Sequence, residues 1–542
     1  MDYIQNEFIP TCFDGDVYKF PMRTAVSCKS DCKTEPKLIL FGQANIASTY
    51  EKEKPRGGNS FIPNIKWAES ELNLTSAYIR QIVKMCVNKA IAEGYKKSSI
   101  NFVKFYPLSI GETSKQDIED AWKEACSQYD INTETAVSTY SESLAPYYAD
   151  TPEKARCAVS IDIGGGSVDF AVFSDGSPDF ASSIRFGCDV LWSSFEKTNV
   201  TQENNPIFLD FVDKMLNNAR RAESTGDNET IHVLLGMLGY TSDSKEPYMT
   251  ARRVESKYSS EDVINFWLGN KAFNFARENK LRKDYKPAFI SHLYSILYHI
   301  AQVMKSEEKI LPNALIFSGN GSKYIDYIGL DVVKQIAGAA FSLVYANDAR
   351  EPEDVAAANS GITISHDQAE EGFNYDQFVS NLIIKVPNEN LSGKEKTAVG
   401  GLKIRRDGMN LIEPPKKVYY GELLTEHPAY MTKAKRDLVS VDEASNLPRL
   451  NEEFVMSICN NVGVMQTGLR NLFDNLQLST YYVGIDTEEC RTTLKQSLET
   501  NNDKTILGAA TERDIQSTLF FVPIRKILFG IEEKVRNLTN NQ

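Results

Sequence analysis

Residues 157–176 read CAVSIDIGGGSVDFAVFSDG: two apolar strands joined by a turn of three consecutive glycines. The first strand ends in Asp162, and the second runs through Val168, Phe170 and Val172 toward an Asp-Gly turn. Glycines permit positive φ and carry no Cβ, so main-chain N–H groups can close around an anion such as phosphate. The segment therefore predicts a phosphate-binding β-hairpin. The alternative is a tight β-turn with a glycine bulge and no ligand.

Two carboxylates flank this turn. Asp162 precedes the glycines, and Asp169 lies across the same turn on the second strand. A carboxylate at a strand end can hold the water shell of Mg²⁺, which binds through few protein ligands and keeps several waters. Asp162 is therefore the predicted metal ligand, and Asp169 is a second acidic group beside it.

Helical and strand patterns alternate on both sides of the hairpin, which predicts an α/β protein whose sheet is not purely parallel. Apolar residues at helical spacing predict helices over 79–91 and 288–304, the second of them buried. Residues 100–107 and 314–317 are typical of strands, and the second of these leads into a glycine turn. The segment DQFVSNLIIKV, from residue 376, is expected to hold another strand.

Composition restricts the classes of partner. The chain has 542 residues with 60 Lys and Arg against 73 Asp and Glu, a formal net charge of −13. Duplex nucleic acid and anionic membranes bind clustered basic residues, so neither is a predicted partner.

The longest apolar stretch, residues 288–304, is shorter than the ~20 residues that span a bilayer, and the N-terminus does not read as a signal peptide. We therefore expect a cytoplasmic protein without a membrane span.

Three motifs, in the same order along the chain, resemble the superfamily that contains actin, the seventy-kilodalton heat-shock chaperones and sugar kinases. Residues 157–176 resemble its second phosphate-binding hairpin. Residues 141–146, Ser-Glu-Ser-Leu-Ala-Pro, resemble the start of the chaperones' connecting helix. Residues 317–323, Phe-Ser-Gly-Asn-Gly-Ser-Lys, resemble the adenosine motif. The resemblance covers roughly residues 17–405 and implies a two-lobed actin-like ATPase fold with mixed sheets in each lobe.

The resemblance also implies an order of domains. It predicts four regions: lobe I over 1–150, lobe II over 151–330 with an inserted helical subdomain at about 201–287, a return segment and closing strand over 331–405, and a helical C-terminal extension over 406–542. The closing segment includes residues 396–403, and the C-terminal helices are expected to contact a protein partner. Within the extension, the apolar residues 518–531 are expected to be core.

The first phosphate hairpin of the superfamily, a strand that ends Asp-x-Gly-Thr, has no counterpart before residue 17. Lobe I is therefore predicted to be incomplete, either because the chain is a shortened form of a longer protein or because half of the phosphate clamp has been lost. Since that hairpin supplies several charge-assisted hydrogen bonds to the nucleotide, its loss argues against hydrolysis and is expected to weaken nucleotide binding by orders of magnitude.

The resemblance assigns roles to individual residues. Asp162 would hold Mg²⁺ through water, Asp169 would lie near the metal or the attacking water, and Glu142 would orient that water as a weak general base. The predicted phosphate-binding residues are Gly164, Gly165, Gly166 and Ser167. The residues predicted to wrap the α-phosphate and ribose are Gly319, Asn320, Gly321 and Ser322. Lys66 falls where the chaperones carry a phosphate-contacting lysine. The alternative interpretation is that Lys66 is a solvated surface residue.

The implied function is Mg–ATP binding in an actin-like or chaperone-like ATPase, used for weak hydrolysis or as a nucleotide-dependent conformational switch. One alternative is a non-catalytic interaction module on the same fold. Another is an exopolyphosphatase-like phosphohydrolase. In that group the hairpin also reads Asp-Ile-Gly-Gly-Gly-Ser but continues Thr-Glu, whereas this chain continues Val168-Asp169.

Overall fold

A computed structural model describes seventeen segments of the chain. The chain divides into two compact units. The described residues are 26–29, 59–62, 72–106, 112–152, 155–191, 195–198, 201–203, 206–207, 285–346, 363–365, 372–387, 393–406, 417–419, 439–441, 448–450, 452–499 and 519–540. The first unit comprises residues 1–106, 110–140 and 209–263, and the second comprises 107–109, 141–208 and 264–542. Lys66 and most of the predicted subdomain at 201–287 lie outside the described residues.

The first unit is a small α/β layer. Its elements, in chain order, are β1 (Val26–Lys29), β2 (Asn59–Ile62), α1 (Leu72–Ala92), β3 (Phe102–Tyr106), α2 (Glu112–Ser127), α3 (Thr133–Ala136) and β4 (Val137–Ser141). Strands β1 and β2 pair with each other, and so do β3 and β4. Its core joins Val83 and Val87 of α1 to Phe102 and Ala125. The predicted helix over 79–91 and the strand within 100–107 are confirmed.

The second unit contains the glycine hairpin and begins with a short helix. Its first elements are α4 (Ala145–Ala149), β5 (Cys157–Ile163), β6 (Val168–Ser174), β7 (Ser177–Ile184), β8 (Phe195–Thr198), β9 (Thr201–Glu203), α5 (Lys286–Ser306), β10 (Ala314–Ser318), α6 (Lys323–Ile328) and α7 (Leu330–Ala346). Its later elements are β11 (Thr363–Ser365), β12 (Gly372–Asn374), α8 (Tyr375–Asn381), β13 (Ile383–Lys385), α9 (Gly393–Arg406), β14 (Lys417–Tyr419), β15 (Val439–Val441), β16 (Pro448–Leu450), α10 (Glu452–Asn475), α11 (Thr487–Glu499) and α12 (Phe521–Asn540).

A six-stranded mixed sheet organises this unit, with strand order β13-β10-β5-β6-β7-β14. Strands β5, β6 and β7 form an antiparallel meander. The other three strands are parallel to their neighbours, with β10 beside β5, β13 beside β10 and β14 beside β7. The protein is therefore a mixed α/β structure, as the sequence predicts.

Helix α5 is buried along nearly its whole length, which confirms the helix predicted at 288–304. The predicted core segment at 518–531 is confirmed over its described residues, because Leu519, Phe520 and Phe521 are buried. The ring of Phe521 stacks on Phe186 at a centroid distance of 4.3 Å. The last described helix, α12, is therefore part of the core of the second unit.

Two segments of the second unit contain helices that the sequence analysis does not predict. Residues 375–381 form helix α8, so only the end of the segment from residue 376 is a strand. Residues 396–403, which the resemblance places in the closing segment, lie within helix α9. The buried residues of α9 include Lys396, Thr397, Gly400 and Ile404, a helical spacing in which polar side chains face inward. The C-terminal extension is also less purely helical than predicted, since β14 joins the large sheet.

No single helix in the described part of the chain is both long enough and apolar enough to cross a membrane. Residues 320–328 and 330–345 meet that test only as a pair, and the two helices are bent by 100° where they meet.

Two fully buried histidines on α5 predict a loss of stability in acid. Burial lowers the pKa of His292 to about 4 and that of His299 to about 3, from an ordinary value of 6.5. Between those values and pH 6.5 the unfolded chain binds more protons, so stability falls as pH falls, by about 1.4 kcal/mol per pH unit for each histidine. Chemical denaturation between about pH 7 and pH 4.5 measures this slope.

The variant His299→Phe isolates one of the two contributions. The ring of His299 lies among Phe170, Phe520 and Phe521, and its nitrogens have no hydrogen-bond partner among the described residues. We expect the variant to be more stable than the wild type by about 1 kcal/mol or more at neutral pH, with a shallower acid slope. Equal slopes for the two proteins would show that His299 binds protons equally in the folded and unfolded states, and would contradict the lowered pKa.

Gly400 of α9 predicts a second effect on stability. A Cβ at this position would overlap the carbonyl oxygen of Ala145 in α4. Gly400→Ala should therefore cost about 1 to 3 kcal/mol through overpacking. Gly463 is a matched control inside α10, because a Cβ there meets no atom within 4 Å. Gly463→Ala should stabilise by about 0.5 to 1 kcal/mol through helix propensity. Urea unfolding of both variants checks the contrast, and a stabilised Gly400→Ala protein would contradict the close packing.

Candidate functional site

The two glycine turns lie side by side at one edge of the large sheet. Strand β10 is parallel to β5, with Ser318 opposite Asp162, so both chains leave the sheet at the same end. Gly319 has a φ of +79°, and a Cβ on it would lie 2.5 Å from Oδ1 of Asp162. A Cβ on Gly321 would lie 2.6 Å from the carbonyl oxygen of Ile163 and 2.9 Å from that of Gly164. The turns therefore approach main chain to main chain, which residues other than glycine would prevent.

The carboxylate of Asp162 lies between these turns and is only 1% exposed. Its Oδ2 atom accepts hydrogen bonds from Oγ of Ser318 at 3.0 Å and from Oγ1 of Thr397 at 3.1 Å. Hydrogen bonds from two hydroxyl groups stabilise the ionised form of a buried carboxylate. The sequence predicts Asp162 as a site residue, but neither of its two hydroxyl partners.

Asp169 faces Asp162 directly across the antiparallel pair of β5 and β6. It is also 1% exposed, and its Oδ2 accepts a hydrogen bond from Oγ of Ser167 at 2.9 Å. Ser183 on β7 is the next residue in the same row. Residues directly opposite in a sheet share a face, and like charges in such a pair repel. Two adjacent buried carboxylates are therefore a place where a cation lowers the energy of the folded state.

The donor set fits a magnesium ion rather than a tightly ligated metal. Among the described residues, no group of three or more His, Cys, Asp or Glu side chains is arranged to hold a metal ion. Mg²⁺ binds through one or two carboxylates, with water and phosphate oxygens completing its shell. Asp162 and Asp169 supply that number of carboxylates.

The first glycine turn is held in shape by its own backbone and by the residues that follow β7. The amide of Gly164 donates to the carbonyl of Ser167 at 2.9 Å. The carbonyls of Gly164 and Gly165 accept from the amides of Cys188 and Asp189 at 3.0 and 2.9 Å. Within the described residues, the amides of Gly165 and Gly166 have no such acceptor. The phosphate contacts of these two amides stay a prediction.

Cys188 braces both glycine turns, and the sequence analysis did not identify it. In addition to its amide bond to Gly164, its Sγ donates to the carbonyl of Gly321 at 3.5 Å. The neighbouring Gly187 lies so close to the first turn that a Cβ on it would be 2.7 Å from the amide nitrogen of Ser167. Only the short sequence Phe-Gly-Cys after β7 could have indicated this close approach.

Helix α9 forms a further part of the site. Its first residue, Gly393, packs on the main chain of Gly319, where a Cβ would lie 2.5 Å from the carbonyl carbon. Nζ of the buried Lys396 lies 3.2 Å from Oδ2 of Asp150, and Nζ of Lys385 lies 3.3 Å from Oδ1. Burial raises the pKa of Asp150, but the two ammonium groups outweigh burial and lower it overall. Burial lowers the pKa of Lys396, an effect that Asp150 opposes.

The remaining predicted site residues are placed as follows. Asn320 and Ser322 form a single 3₁₀ turn after Gly319, and Oγ of Ser322 donates to the carbonyl of Gly319 at 2.7 Å. Glu142 is buried in the turn that precedes α4, which begins only at Ala145. Its role as a general base stays a prediction, as does the phosphate contact of Lys66, which lies outside the described residues.

Comparisons with known proteins find similarity among solved structures. No protein-family model matches the chain, and no curated protein matches it. Crystal structures of MreB5 of Spiroplasma citri, bound to ADP and to AMPPNP, match 31% of this chain at 16% identity, each with a TM-score of 0.22. The match covers 45% of the ADP-bound chain and 47% of the AMPPNP-bound chain, which is less than half of each.

The close approach of the two turns predicts a difference between two glycines with similar backbone angles. Gly319 and Gly329 have φ of +79° and +98°, but a Cβ at Gly329 meets no atom within 4 Å. Both alanine variants carry the strain of positive φ, and only Gly319→Ala also forces a methyl group against Ile163 and Asp162. We expect Gly319→Ala to lose about 1 to 3 kcal/mol more than Gly329→Ala in thermal unfolding. Equal losses would mean that the turns are farther apart than described.

Proposed function

We propose that this chain is an actin-like or heat-shock-like ATPase that binds Mg–ATP at the two glycine turns and changes conformation with the nucleotide. The observation that carries the proposal is the main-chain contact between the turn at 164–167 and the turn at 319–322, with the carboxylate of Asp162 beside it. A polyphosphate chain needs closely spaced N–H donors and a cation, and this edge of the sheet has both amides and carboxylates.

The described residues support the order of motifs on which the resemblance is based. The hairpin, the connecting helix at 145–149 and the glycine turn after β10 all belong to the second unit, and the sheet that carries them is mixed. In the proposed site, Asp162 and Asp169 hold Mg²⁺ through water, and the amides of Gly165 and Gly166 bind phosphate oxygens. The turn from Gly319 to Ser322 lies against the α-phosphate and ribose. Magnesium supplies charge neutralisation between the phosphates and the two carboxylates.

One contact favours binding over hydrolysis. The Oδ2 atom of Asp169 is engaged by Oγ of Ser167, the last residue of the glycine turn. A carboxylate oxygen that accepts such a hydrogen bond helps to shape the turn and has one lone-pair position fewer for a water molecule. We therefore propose a nucleotide-dependent switch as the main activity, with hydrolysis slow. The second candidate function is a non-catalytic interaction module on the same fold.

Calorimetry with ATP and Mg²⁺ tests the proposal directly. The wild type should show saturable binding, and Asp162→Ala should weaken it at least about tenfold, or about 1.4 kcal/mol. Asp376→Ala is the matched control, because Asp376 is exposed at the start of α8 and outside the site. Its affinity should equal that of the wild type.

Three outcomes separate the candidate functions. A flat titration of the wild type with Mg–ATP overturns nucleotide binding and favours the interaction module. Release of phosphate from polyphosphate but not from ATP favours the exopolyphosphatase-like alternative. Binding that Asp162→Ala leaves unchanged would show that ATP binds elsewhere on the chain.

A further inference from the structure

Helix α9 contributes a hydroxyl group to the carboxylate at the centre of the proposed site. Oγ1 of Thr397 donates to Oδ2 of Asp162 at 3.1 Å, across 235 positions of sequence. Thr397 is 4% exposed, so water does not compete for this hydrogen bond. It lies in the segment that the resemblance assigns to the closing region, and no role follows for it from the three motifs.

The two hydroxyl groups on Asp162 act on the same oxygen. Ser318, from β10, donates to Oδ2 at 3.0 Å, as Thr397 does. A carboxylate oxygen has about two lone-pair positions, so Oδ2 is fully used by these donors. The other oxygen, Oδ1, lies next to Gly319, because a Cβ added to this glycine would be 2.5 Å from Oδ1. The orientation of the carboxylate is therefore fixed from two elements, a strand and a helix.

We infer that Thr397 is a positioning residue for the proposed metal site, holding Oδ2 of Asp162 so that the carboxylate keeps its orientation at the glycine turns. This inference rests on the proposed Mg–ATP binding. It assigns Thr397 no contact with the nucleotide. Its effect is exerted through the angle of the Asp162 carboxylate, which must stay fixed for water-mediated coordination by Mg²⁺.

The position of Thr397 depends on how α9 is held. The preceding residue, Lys396, pairs with Asp150 at 3.2 Å, and Nζ of Lys403 donates to the carbonyl of Ala149 at 2.9 Å. Gly400 permits the close packing of α9 on Ala145. Helix α9 is thus fastened to α4 at several points while its first turns reach the site. Metal affinity at Asp162 is consequently linked to the packing of α9 on α4.

The test compares nucleotide affinity with and without metal in the full chain. Thr397→Val keeps the shape of the side chain and removes the hydroxyl donor. We expect its affinity for Mg–ATP to fall about tenfold, while its affinity for ATP in EDTA stays within about twofold of the wild type. Thr397→Ser restores the donor and should recover Mg–ATP affinity to within about threefold. Thr493→Val is the matched control in α11, where Oγ1 donates to the carbonyl of Glu489 at 2.8 Å. Its two affinities should not change.

Ser318→Ala gives a second, independent variant if Thr397→Val does not fold, and the same metal-dependent loss is expected for it. Equal losses with and without Mg²⁺, or no loss in either condition, would overturn the positioning role and leave the proposed function standing. A failure of Thr397→Ser to recover affinity would also overturn it. A wild type that does not bind Mg–ATP at all would overturn the proposed function, and the inference with it.

Discussion

Strand β10 pairs in parallel with β5, and this pairing determines where both glycine turns are placed. Parallel neighbours end at the same edge of a sheet, so turns that are more than 150 residues apart in sequence come into main-chain contact. The register is equally restrictive, because a slip of one residue would move Asp162 to the opposite face. The glycines at 319 and 321 are needed because the two turns meet without room for a Cβ.

The energetic cost of this arrangement is concentrated at the same place. Asp162 and Asp169 are buried directly opposite each other. Like-charged neighbours lower stability, and they persist where the surrounding structure or a ligand compensates. Here Ser167, Ser318 and Thr397 supply hydroxyl donors to the two carboxylates. These hydroxyl groups satisfy carboxylate oxygens that are shielded from water.

The sequence predicts the local parts of this site well and the long-range parts poorly. The strands at 157–163 and 168–174, the buried helix α5 and the strand before Gly319 follow from short patterns of apolar residues and glycines. Helix α9 could not be predicted from such patterns, because its polar and apolar residues lie on the opposite sides from those expected. Lys396 is fully buried, whereas the side chain of Leu402 is 58% exposed. Lys396 and Thr397 can be buried because they bond to Asp150 and Asp162, respectively. These partners are distant in sequence and come close only in the folded chain. Thr397 was missed for this reason.

The placement of α12 has a consequence for synthesis of the protein. Its first turn covers Phe186 and His299 on the apolar side of the sheet, although the strands of that sheet's meander are complete by residue 184. A nascent chain must therefore hold this aromatic surface uncovered while several hundred further residues leave the ribosome, at roughly 5 to 20 residues per second. Exposed apolar surface of this kind is what holdase chaperones bind, so the period between the meander and α12 is when the growing chain is most open to aggregation.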